Sequence, residues 1–151
     1  MNRKFAVALV LLLQLLALPA EATTFDVGQV WSYRTRAGEE ASRAYVARVD
    51  RDLGSKPIFH LYIDGLKLKN PLVEGGVQDH LVHVPVSQEA LEASVIAMTQ
   101  EGVIPPDISE GYIIWREAFE QGQAGVFTMS LQQVVQYIED QFAKQAGAQQ
   151  Q

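Results

Sequence analysis

Cysteine is absent from all 151 residues, so the chain closes no disulfide and offers no thiolate to a metal or a substrate. No Gly-x-Ser-x-Gly elbow occurs, and Gly75-Gly76 lacks the following Lys-Ser/Thr of a phosphate-binding loop. After the N-terminal segment no apolar run reaches the ~20 residues that cross a bilayer, so no membrane span is expected in the mature chain. Positive charge is scarce as well. Twelve Lys and Arg face 18 Asp and Glu, a net charge of −6 that repels phosphate backbones and argues against nucleic acid as a partner.

The one long apolar stretch opens the sequence. In MNRKFAVALVLLLQLLALPAEA, Arg3 and Lys4 precede a run from Phe5 to Leu18, and Ala20 and Ala22 form a small-residue cleavage pattern. Residues 1–22 are therefore expected to be a signal peptide cut near Ala22, which makes the protein periplasmic or secreted. Removing Arg3, Lys4 and Glu21 leaves ten basic and seventeen acidic residues, a charge of −7 over 129 residues. That length suits one domain, expected over 23–145, with 146–151 as a disordered tail.

Periodicity supplies the elements. Val30, Trp31, Tyr33 and Thr35 lie ahead of AGEE, and Tyr45, Val46 and Val49 follow it, which predicts a β-hairpin turning near Gly38. PIFHLYIDG reads as a third strand, with Phe59, Leu61 and Ile63 on one face and Ile58, His60 and Tyr62 on the other. LKLKNPLVEGGVQ reads as a loop. QDHLVHVPVS is a strand, since Pro85 forbids a helix interior, and Ser87 caps a helix expected to run to Gly102 with Leu91, Val95 and Met98 in one stripe.

Two prolines stiffen Val103–Asp107. A second helix, capped by Ser109, aligns Tyr112, Trp115 and Phe119, a pattern of core packing. Gly125–Met129 reads as a short strand. The last helix starts at a Ser130/Gln133 capping box and buries Leu131, Val134, Val135, Ile138 and Phe142. Strands that mostly precede helices predict an α+β domain: a mainly antiparallel sheet of four to five strands with about three helices packed on one face.

The three histidines are the candidates for chemistry. Strand alternation puts His80 and His83 on opposite faces, so His60 can join only one of them, short of the three or four ligands that zinc takes. No metal, cofactor or catalytic residue is assigned on this basis. A small hydrolase or metal-dependent enzyme using His60 with His80 or His83 is the alternative. Five arginines, at 34, 36, 43, 48 and 51, crowd the hairpin, with Glu39 and Glu40 at its tip. The expected site for a protein partner is therefore Arg34, Arg36, Glu39, Glu40, Lys67 and Lys69.

The stretch from VGQVWSYR to VVQYIED, including DGLKLKNP and GYIIWREAFEQG, resembles small exported bacterial proteins without an assigned activity. The resemblance implies export and transfers no residue role. The expected function is a non-catalytic exported binding protein, with an inhibitor or immunity-type antagonist as one concrete form and a cell-envelope assembly component as a further alternative.

Overall fold

The computed structural model describes residues 23–149; the expected signal peptide at 1–22 lies outside the described residues. The elements are β1 (Val30–Tyr33), β2 (Arg43–Asp50), β3 (Ile58–Asp64), β4 (Leu68–Lys69), β5 (Val77–Gln78), β6 (Leu81–Ser87), α1 (Gln88–Ser94), β7 (Val95–Gln100), α2 (Ser109–Glu120) and α3 (Leu131–Ala148). Five strands form an antiparallel sheet in the order β6-β3-β2-β1-β7, and β4 pairs with β5 in a separate two-stranded ribbon. This is the α+β class expected from the sequence.

Alternation along the strands decides what each sheet face carries. Phe59, Leu61 and Ile63 join Val46, Val84, Leu91, Leu131, Val134 and Val135 in the main core, beneath α1 and α3. The opposite face of β3 carries His60, whose ring meets Tyr112 and Trp115 of α2. The expectation of helices on one face is thus corrected: α1 and α3 cover one face and α2 the other, because His60 and its neighbours give the second face aromatic and polar groups for α2 to cover.

β6 is an edge strand, where Pro85 costs the ladder little. Its outer side is closed by Phe127, which donates its N–H to Pro85 and accepts from Ser87 N–H. The expected strand at Gly125–Met129 shrinks to this single parallel bridge between Val86 and Phe127.

The helix expected from Ser87 to Gly102 is a correction. Ser87 does cap it, accepting from Ala90 N–H at 3.1 Å, but α1 stops at Ser94 and the chain becomes β7 on the open edge of β1. Val95, Ile96 and Thr99 are β-branched, and pairing satisfies backbone groups of β1 that would otherwise lack partners. Ser109 is not the cap of α2 either. Ile108 holds that position without a side-chain bond, and the Asp107 carboxylate accepts from Ser109 N–H at 2.8 Å. The capping box at Ser130 forms as expected, and α3 continues to Ala148, beyond residue 145.

Ser94 is where the helical layer is pinned. Its hydroxyl donates to Ala90 C=O at 2.6 Å and accepts from Leu131 N–H at 2.8 Å, with the residue 1% exposed. Ser94→Ala leaves the first N–H of α3 buried without a partner. It should lower the unfolding free energy by about 1–3 kcal/mol in urea titration, and a change under about 0.5 kcal/mol would show that the bond is dispensable.

Candidate functional site

Two β-bulges shape the face under α2. Opposite β3, β2 carries an extra residue between Val46 and Arg48, and β6 carries one between Leu81 and Val84. A bulge resets the alternation of its strand. The first turns Arg48 onto the face of its cross-strand partner His60, with Asp50 two residues on. The second overturns the expectation that His80 and His83 face opposite ways: His83 stacks beside His60 at 5.1 Å, and His80 stacks on Tyr62, two residues along the same face, at 5.7 Å.

The histidines therefore share a face without forming one cluster. His60 Nδ1 lies 2.9 Å from His83 Nε2, and His60 Nε2 lies 3.1 Å from Asp50 Oδ2. His80 bonds Asp79 at 2.6 Å near the surface. Among the described residues no group of three His, Cys, Asp or Glu is placed to hold a metal.

Asp50 is the hub. Its Oδ2 accepts from Tyr112 O–H at 2.7 Å as well as from His60, and its Oδ1 accepts from Arg48 Nε–H at 2.8 Å. Burial pushes this carboxyl up, but the Tyr112 and Arg48 hydrogen bonds outweigh it and hold the pKa below the ordinary value. Burial lowers both imidazoles to about 4, against the weaker pull of Asp50 on His60. Both rings are thus neutral at pH 7.

Charge state then fixes the tautomers. An ionised Asp50 only accepts, so His60 donates from Nε2 and accepts at Nδ1. His83 must donate from Nε2, which leaves its Nδ1 with a bare lone pair. That nitrogen has no bond to another described residue, and no fully buried side-chain polar atom there lacks a partner, so solvent reaches it. The relay positions one weak base, with no hydroxyl or thiol nucleophile bonded to it.

α2 seals the relay by aromatic contact. Trp115 sets its ring 4.7 Å from His60 and from Phe119, and donates from Nε1 to Gly125 C=O at 2.9 Å. Its approach depends on Gly111: a Cβ there would stand 2.7 Å from His83 Cβ. Beside this layer lies an open groove of about 420 Å³, lined by Ala47, Arg48, Tyr112 and the Ile104–Ser109 segment.

The residues expected to bind a partner lie elsewhere, and several hold the fold together. Arg34 donates to Ala93 C=O. Arg36 forks onto Glu39 and reaches Glu139 at 3.1 Å on α3. Glu39, expected at an exposed tip, is a correction: it is 3% exposed, because the loop folds inward and its Oε1 also accepts Lys67 N–H at 2.8 Å. Glu40 accepts from Gly38 N–H, while Lys67 and Lys69 are exposed and Lys69 N–H bonds Glu139.

Asp50, Tyr112 and Trp115 were not singled out as site residues from the sequence. The available signal was a histidine inside an apolar strand, which demands a buried partner. Comparison with protein families, curated proteins and solved structures returned no match.

Two predictions follow from the relay. Gly111→Ala should destabilise by about 1–3 kcal/mol in urea titration, because helix and strand must separate to admit the methyl; a neutral effect would mean that α2 is loosely held. The histidines also set a pH dependence. Their folded pKa values lie below the unfolded value, so their contribution is complete above pH 6.5 and is lost as pH falls toward 4. Unfolding free energy should fall between pH 6.5 and 4.5, by up to ~1.4 kcal/mol per pH unit for each histidine. Urea titrations across that window test this ahead of most carboxylate titration, and a flat profile would refute neutral burial.

Proposed function

We propose that this is an exported, non-catalytic binding protein that engages a polypeptide partner through the surface around Ile104. The observation that supports this reading is Ile104 itself, 93% exposed and held ahead of Pro105 and Pro106 at the lip of the groove. An isoleucine with no packing in its own fold, on a stiff segment, offers apolar area to a partner at little cost in ordering. Among the described residues Ile104 is the most exposed of the large hydrophobics, and the groove beside it adds apolar surface from Ala47, Pro105, Pro106 and Ile108.

The expected hairpin surface is weaker ground, since Arg36 and Glu39 are spent on each other and on α3. An antagonist of an exported enzyme remains the concrete version of the proposal. A photo-crosslinking residue placed at 104, and another at 40, separates the surfaces in cells. An adduct of one defined mass from 104 alone, lost in Ile104→Glu at unchanged melting temperature, is the expected result. Crosslinking from 40 alone would return the interface to the hairpin, and none from 104 would sink the proposal.

The enzymatic alternative draws on one observation, the 2.9 Å contact of His60 with His83. Against it, both nitrogens of His60 are committed inside the relay.

A further inference from the structure

A second cavity opens on the other side of Arg48, about 510 Å³ in volume, and three arginines line it: Arg48 and Arg51 from β2 and its end, and Arg116 from α2. In a chain with 18 acidic and 12 basic residues, three guanidinium groups around one concavity run against the overall charge. We infer that this cavity is a binding site for a small oxyanion, a ligand bearing carboxylate or phosphate oxygens. The inference is independent of the surface around Ile104 and goes beyond it.

Arg48 and Arg116 are held in place, and all three arginines keep donors to spare. Arg48 uses Nε on Asp50 and lays its guanidinium carbon 4.2 Å from the centre of the Tyr112 ring, which leaves both terminal nitrogens without a partner among the described residues. Arg116 uses Nε on Glu120 and Nη1 on the Tyr112 hydroxyl at 3.2 Å, and keeps Nη2. Arg51 touches Asp26 only at 3.5 Å, the outer limit of a hydrogen bond, between two exposed side chains. Tyr112 is the common post: one arginine stacks on its ring and another donates to its oxygen.

The acids in the wall do not neutralise this set. Asp50 accepts three bonds with its two oxygens and is 8% exposed, so it serves as an anchor for Arg48. With Asp52 the wall carries two carboxylates against three guanidinium groups, a balance of one positive charge, while Glu120 and Asp26 pair with Arg116 and Arg51 from outside the wall. The guanidinium fork matches the spacing of oxygens on carboxylate and phosphate, and groups held before binding lose little entropy on engaging them. The volume lies in the range of small-molecule sites.

The test is calorimetric titration of residues 23–151 with inorganic phosphate and with citrate, each against sodium chloride of equal ionic strength. Saturable binding of at least one oxyanion below about 20 mM, absent with chloride, is expected. It should weaken at least roughly tenfold in the Arg51→Gln/Arg116→Gln variant, which removes no donor to Asp50 and whose fold is checked by its melting temperature. The preferred anion tells phosphate from carboxylate chemistry. No saturable heat with either, equal heat with chloride, or unchanged affinity in the folded variant would overturn the site.

Discussion

Asp50 stays ionised under α2 because donors from three elements converge on it: Arg48 from β2, His60 from β3 and Tyr112 from α2. Removing a carboxylate from water costs several kcal/mol unless hydrogen bonds replace the hydration. Here they do, and each donor is thereby fixed. His60 is oriented, which orients His83; Tyr112 is drawn down, which brings α2 onto the sheet. The arrangement is cooperative, since loss of any one donor leaves a buried charge short of a partner. A network satisfied at every buried atom specifies one docking pose for α2 more sharply than apolar contact alone.

This polar layer stands back to back with an ordinary hydrophobic core. The same strands serve both, with Leu61 and Val46 facing α1 and α3 while His60 and Arg48 face α2. The bulges make the sharing possible. Without a bulge at Ala47, strict alternation would keep Arg48 on the face of Val46, among the apolar side chains of the core. Without the one in β6, Leu81 and Val84 could not both reach the core, and His83 could not lie beside His60. Local irregularity in two strands is thus what separates the two environments.

How much of this could be read from residues alone follows from the range of each interaction. The α3 capping box, the Ser87 cap and the strand at residues 58–64 rest on neighbours in sequence, and all three were legible. The end of α1 at Ser94 was not, because it depends on β1 offering an open edge more than sixty residues away. Glu39 looked like a turn carboxylate until the backbone of Lys67 and the guanidinium of Arg36 closed on it. His60 was legible as a candidate, yet its partner Asp50 was not. The pairing of β2 with β3 that brings them together passes through a bulge with no mark in composition.

The charged and apolar surfaces of this protein therefore exchange the roles that composition suggests. Arg36 and Glu39 of the hairpin loop are tied to each other, and Arg36 reaches Gln136 and Glu139 of α3, so both serve the fold. Among the described residues the most exposed large hydrophobic side chain is Ile104, held out on a proline-stiffened segment beside Arg48 and Tyr112. Arg36 and Glu39 are spent on a largely buried pair, and drawing either away to another molecule breaks that pair at a cost. An unpacked isoleucine has nothing to give up, so every contact made by a partner adds to affinity. That asymmetry, more than the count of charges, is the reason to propose docking on the Ile104 side.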